Sequence, residues 1–127
     1  MGRWKRILMK VLVVDDSSLT RAAMVAALSA YNYEIVAEGQ DGNEAVSLYR
    51  SLKPDVVLID LAMPNKDGLE AIREILEFDR NAKIVAVSAL YDRSMQKRAM
   101  ELGASSYIVK PFELTELISV MNKLEKK

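Results

Sequence analysis

A chain of 127 residues, half of them hydrophobic, fits one domain with a proper core, and its 18 basic residues balance its 18 acidic ones. That balance argues against a partner held mainly by bulk charge, such as nucleic acid or an anionic membrane surface. The absence of cysteine excludes disulfides, thiolate zinc sites and cysteine nucleophiles, and the absence of histidine removes the commonest general base and metal ligand, which leaves oxygen-ligated cations and carboxylate chemistry.

The chain begins Met1-Gly2-Arg3-Trp4-Lys5-Arg6-Ile7-Leu8, a basic stretch without the small-residue cleavage pattern of a secretory signal. It reads as a frayed extension over residues 1–8 ahead of a single domain over residues 9–127, with Met9 as an alternative start. No apolar run reaches the length of a membrane span, so the expectation is a cytoplasmic protein with no membrane insertion.

Leu12-Val13-Val14 predicts a buried strand, and Asp15-Asp16-Ser17-Ser18 supplies the carboxylates and hydroxyls that start a helix. Thr20, Ala23, Met24, Ala27 and Leu28 then recur at helical spacing and predict one inward stripe. After a turn near Asn32, Ile35-Val36-Ala37 predicts a second strand, and Asp41-Gly42-Asn43-Glu44 has the spacing of a capping box before Ala45, Leu48, Tyr49 and Leu52. Pro54 ends that helix. The apolar run Val56-Val57-Leu58-Ile59 predicts a third strand buried on both faces, and it stops abruptly at Asp60. Taken alone, Asp60 is as readily a helix cap as a functional carboxylate.

Asp67-Gly68-Leu69-Glu70 repeats the cap ahead of Leu69, Ile72 and Leu76, and Ile84-Val85-Ala86-Val87 predicts the fourth strand. A helix from about Asp92 carries Met95, Ala99 and Leu102 inward and ends at Gly103, suited to the left-handed position past a helix. Ser106-Tyr107-Ile108-Val109 predicts the fifth strand, and after Lys110-Pro111-Phe112 a last helix aligns Leu114, Leu117, Ile118, Met121 and Leu124. Tyr49 and Phe78 read as core or core-margin aromatics. Strands alternating with helices through short loops predict an α/β fold: right-handed crossovers and a parallel sheet covered on both faces.

In such a sheet every strand's C-terminal end lies on one edge, which brings Asp15 and Asp16, Asp60, Ser88 and Lys110 together from distant parts of the chain. Carboxylates crowded there raise one another's pKa unless a cation is present, and an all-oxygen set suits Mg²⁺. Carboxylate, cation, hydroxyl and ammonium at one point suit a phosphoryl group. A plain ion-pair network at the sheet edge is the competing reading.

The motifs Val13-Val14-Asp15-Asp16-Ser17, Ile59-Asp60-Leu61-Ala62-Met63-Pro64 with Asp67-Gly68, Ser88-Ala89, and Tyr107-Ile108-Val109-Lys110-Pro111-Phe112 follow strands one, three, four and five in order. In these the chain resembles a response-regulator receiver domain of the single-domain chemotaxis kind, and the likeness spans nearly its whole length. The resemblance implies a flavodoxin-like, doubly wound (βα)5 sandwich with strand order 2-1-3-4-5. It implies that Asp60 accepts a phosphoryl group from a histidine kinase. Asp16 and Asp60 would ligate Mg²⁺ with the backbone carbonyl of Ala62, Asp15 acting directly or through a water, while Lys110 and Ser88 would attend the phosphoryl oxygens.

Ser88 and Tyr107 would be the switch, read out on the face of helix four, strand five and helix five by an output protein. Lys110-Pro111 would be a cis peptide. The chain lacks a histidine of its own, so the donor is another protein or a small phosphodonor, and a phosphatase is a further expected partner. A monomer is the default state. Two departures stand out: Ala62 is small where the family often has a bulkier or polar side chain, and Asn65-Lys66 replaces the more usual apolar residue before Asp67-Gly68. Other readings are a phosphorelay receiver, a receiver cut from a longer regulator, a small aspartyl-phosphate phosphatase, and a phosphorylation-independent scaffold.

Overall fold

The structure, a computed structural model, describes residues 8–89 and 91–125, so all but Leu8 of the basic extension lies outside the described residues. Five strands, β1 (Lys10–Val14), β2 (Glu34–Gly39), β3 (Val56–Asp60), β4 (Ile84–Ala89) and β5 (Ser106–Lys110), form one parallel sheet in the order β2-β1-β3-β4-β5. Between and after them run α1 (Ser18–Ala30), α2 (Gly42–Leu52), α3 (Gly68–Phe78), α4 (Arg93–Leu102) and α5 (Leu114–Glu125). The chain is thus a flavodoxin-like (βα)5 sandwich.

The unbroken apolar runs in β1, β3 and β4 have a simple cause. Val11, Val13, Val56, Leu58, Val85 and Val87 pack with Met24, Leu28, Leu117 and Met121 of α1 and α5. The intervening residues Leu12, Val14, Val57, Ile59, Ile84 and Ala86 pack with Ala45, Tyr49, Ile72, Ile75 and Ala99 of α2, α3 and α4. Alternate side chains point to opposite faces, so a strand sandwiched by helices must be apolar at every position. Among the described residues no helix is long and apolar enough to cross a membrane.

The capping residues behave as their spacing predicts. Asp41 and Asp67 accept from the backbone N–H groups of Glu44 and Glu70, and Ser17 accepts from that of Thr20. The reciprocal half of each predicted box is not made: Glu44 accepts from the N–H of Gln40, one residue before the Asp41 cap, and Glu70 pairs with Arg73. Gly103 takes the left-handed conformation at φ 118°.

Several helical stripes are shorter than periodicity predicts. Ala23 faces solvent, since the inward line of α1 runs through Met24, Ala27 and Leu28. Leu52, Leu102 and Leu114 are exposed as well, and each is a terminal residue of its helix: Leu52 and Leu102 end α2 and α4, and Leu114 begins α5. Of the two aromatics, Tyr49 is buried and donates to Asp79 Oδ2 at 2.7 Å, while Phe78 stands edge-on to it at the margin, under the Arg50 guanidinium.

Candidate functional site

Register explains why the predicted residues meet. Val14 pairs with Ile59, so Asp15 and Asp60, the next residues along, come level at the C-terminal ends of adjacent central strands. Asp60 pairs with Val87, Val87 with Ile108, and Lys110 lies two residues past Ile108, so its long side chain reaches back across β4. Lys110 Nζ donates to Asp15 Oδ2 at 3.0 Å and to Asp60 Oδ2 at 3.3 Å. The Lys110–Pro111 peptide is cis.

Asp15 and Asp60 are both buried, and each has its second oxygen engaged by backbone: Asp15 Oδ1 accepts from Ser17 N–H at 2.8 Å and Asp60 Oδ1 from Ala62 N–H at 3.2 Å. Asp16 is exposed, without a hydrogen bond or ion pair among the described residues. Burial foremost, and then the Asp15 carboxylate, push the Asp60 carboxyl above the usual carboxylate range, with Lys110 and the Ala62 N–H offsetting part of that rise. Burial pulls the Lys110 ammonium down, but the two aspartates outweigh it and hold its pKa above the ordinary lysine value.

Asp15, Asp16 and Asp60 can each aim one carboxylate oxygen so that all lie within 4.8 Å of one another. That is an all-oxygen donor set suited to a hard divalent cation, and Mg²⁺ fits it because it takes few carboxylates and keeps the rest of its shell as water. A cation there would also relieve the electrostatic cost of ionising Asp60 beside Asp15.

The Ser88 hydroxyl is buried and has no hydrogen-bond partner among the described residues. It sits one step past Val87, the residue level with Asp60. A buried hydroxyl left unpaired costs stability, so an acceptor arriving at this edge gains a donor already stripped of water. Ser88→Ala is therefore expected to leave the unmodified fold as stable as wild type or more so, by up to about 1 kcal/mol in denaturant titration. Tyr107 is about half exposed and turned outward.

Two site residues escaped the sequence reading. Arg21, the one charged residue in α1, donates to the Asp15 carbonyl at 2.6 Å and pairs with Glu38, which fixes the loop carrying the acidic pair. Gln96 of α4 is buried and donates to the Ala89 carbonyl at 3.2 Å, tying α4 to the end of β4 beside Ser88. An arginine among alanines in α1 was the available signal for the first; a glutamine on a polar helix gave none for the second.

A groove of about 460 Å³ opens beside the site, lined by Asp16, Leu61, Ala62, Met63, Pro64 and Met95. A slightly larger groove of about 500 Å³ between α3 and α4 is lined by Arg73, Glu77, Arg80, Leu76 and Leu102, with Arg73 already paired to Glu77, and lies away from the acidic cluster. The chemistry belongs to the sheet edge.

A doubly wound sheet with this edge defines a phosphoryl-accepting signalling module, and comparison with known proteins agrees. The family described as response regulator receiver domain matches residues 11–122, and the chain belongs to that family. It is 39% identical over 92% of its length to the chemotaxis protein CheY of Thermotoga maritima, covering 98% of that protein. It is 42% identical over 86% of its length to the transcriptional regulatory protein PdtaR of Mycobacterium tuberculosis, but covers only 53% of it. Among solved structures, the CheX-CheY-BeF3-Mg²⁺ complex from Borrelia burgdorferi superposes with a TM-score of 0.86 at 33% identity, over 91% of this chain and 88% of that one. The chain is a two-component response regulator of the Mg²⁺-dependent, aspartate-phosphorylated kind, a signalling acceptor rather than a metabolic enzyme.

Proposed function

We propose that Asp60 is the phosphoryl acceptor and that residues 9–127 act as a receiver switched by a histidine kinase. The observation that carries this reading is the pairing of a buried, uphill-shifted Asp60 with Lys110 Nζ at 3.3 Å, next to the buried and unpaired hydroxyl of Ser88. In the transfer, an Asp60 carboxylate oxygen attacks phosphorus and the bond from phosphorus to the donor histidine nitrogen breaks with its electron pair going to that nitrogen, so that a donor ring protonated on its other nitrogen leaves as neutral imidazole. Asp15, Asp16, Asp60 and the Ala62 carbonyl would hold Mg²⁺, which when bound supplies charge neutralisation for the phosphoryl oxygens. Lys110 offsets negative charge on the same oxygens and Ser88 donates to the bound phosphoryl group.

The switch follows from Ser88 moving toward the new acceptor oxygens while Tyr107 turns inward. The output surface is then the face of α4, β5 and α5, where a groove of about 370 Å³ is lined by Arg93, Lys97, Met100, Tyr107 and Val109. A monomeric cytoplasmic regulator acting on an output protein, in chemotaxis first, agrees with the near-complete span of the CheY relative. A receiver detached from a longer regulator is the second reading, favoured by the likeness to PdtaR, of which this chain spans about half.

Acetyl phosphate with Mg²⁺ is expected to add one phosphoryl group to the wild-type protein by intact mass, and none to Asp60→Asn. An unmodified wild type, with no Mg²⁺-dependent change, would refute the acceptor reading.

A further inference from the structure

Asp60 ends β3 and the loop after it carries the Ala62 carbonyl, yet most of residues 61–67 face solvent and something must hold them. Near Asp60 the anchors are backbone: Leu61 N–H donates to the Val87 carbonyl at 2.9 Å and Gly68 N–H to the Leu61 carbonyl at 3.0 Å. Farther out the loop leans on α2. Asn65 adopts a left-handed conformation, φ 66°, and its Nδ2 donates to Asp41 Oδ2 at 3.0 Å, while Gly42 N–H donates to the Lys66 carbonyl at 2.8 Å.

The Lys66 side chain completes this attachment. Its stem lies against Gly42, close enough that a Cβ on that glycine would come within 2.7 Å of Lys66 Cγ. Its ammonium reaches Glu74 Oε2 at 2.5 Å, with both side chains only 22% exposed. Glu74 is on the second turn of α3, whereas the neighbouring Arg73 is taken up by Glu70 and Glu77. One side chain therefore ties together the start of α2, the middle of the loop and the body of α3, and a pair this shielded from water is screened less than a surface ion pair.

We propose that Lys66 is a positioning residue for the Asp60 site: its ion pair with Glu74 latches the loop to α2 and α3 and so sets how firmly Asp60 and the Ala62 carbonyl are presented to a divalent cation. The proposal rests on the reading of Asp60 as acceptor and cation ligand. Outer residues that orient ligands are costly to remove even when they touch neither metal nor substrate.

The test compares wild type with Lys66→Met, which keeps the stem and removes the charge, with Glu74→Gln, with the double variant, and with the charge swap Lys66→Glu/Glu74→Lys. Amide hydrogen exchange over residues 61–67 without Mg²⁺ is expected to quicken in both single variants, and the Mg²⁺ dissociation constant from calorimetry to rise about fivefold. The double variant is expected to be no worse than either single one, and the swap to recover both quantities. Unchanged exchange and unchanged Mg²⁺ affinity in both singles, even with a lowered melting temperature, would leave the pair a stability element and overturn the proposal. Neither measurement uses phosphorylation, so a wild type that takes no phosphoryl group defeats the acceptor reading separately and leaves the latch to be judged by exchange and Mg²⁺.

Discussion

Gly68→Ala is expected to disable the site and to cost the fold about 3 kcal/mol, because a methyl group here meets main chain and not a side chain that can swing aside. A Cβ at this position would lie 2.3 Å from the Asp60 carbonyl oxygen and 2.7 Å from Leu61 Cα. The first residue of α3 can separate from the end of β3 only by displacing the acceptor, the loop behind it, or the helix whose Ile72 and Ile75 fill the core. Denaturant titration should give the loss in stability, and calorimetry a matching loss of Mg²⁺ binding. Gly39→Ala is the control: its Cβ would find neighbours no closer than 3.4 Å, an ordinary contact, and at a strand position little change is expected.

Lys110→Met is expected to slow phosphoryl uptake from acetyl phosphate about 100-fold, the scale on which a single preorganised charge acts on a transferring group. It should also destabilise the Mg²⁺-free protein by about 2 kcal/mol at neutral pH. Lys110 bridges two buried carboxylates, Asp15 and Asp60, and removing it leaves them facing each other without a cation. The pH dependence has a definite sign. Asp60 is already held above the ordinary carboxylate value, so its share of stability is full below that value and is lost as pH rises through the folded one. Without Lys110 the folded value rises further, and the deficit of the variant is largest near neutrality and shrinks in acid. Melting curves followed from acid to neutral pH measure this directly. Saturating Mg²⁺ should restore part of the loss by binding only the folded state.

The legibility of the sequence differed residue by residue. Strands β3 and β4 announced themselves because burial on both faces forbids polar alternation, and Asp15, Asp16, Asp60, Ser88 and Lys110 were found because parallel topology sends every strand end to one edge. The caps at Asp41 and Asp67 were local and read correctly. What stayed hidden was contact between distant backbones. Asp67-Gly68 read only as the start of a helix cap, yet Gly68 is required by its approach to Asp60, and Gly42 by its approach to Lys66. Arg21, Gln96 and the Lys66 pair with Glu74 act across elements, where spacing along one helix says nothing about the partner. Leu52, Leu102 and Leu114 were assigned to the core because periodicity does not say which terminal residues of a helix are exposed.

On the proposed reading this sheet edge puts a phosphoryl group on one carboxylate, Asp60. The most direct measurement treats the phosphorylated protein with borohydride, which reduces an acyl phosphate to the corresponding alcohol, and then maps the altered residue by peptide mass. The reduced residue is expected to be Asp60, formed only with Mg²⁺ present; reduction at Asp15 or Asp16 instead, or at no aspartate in a protein that has gained phosphate, would rule out Asp60 as the acceptor.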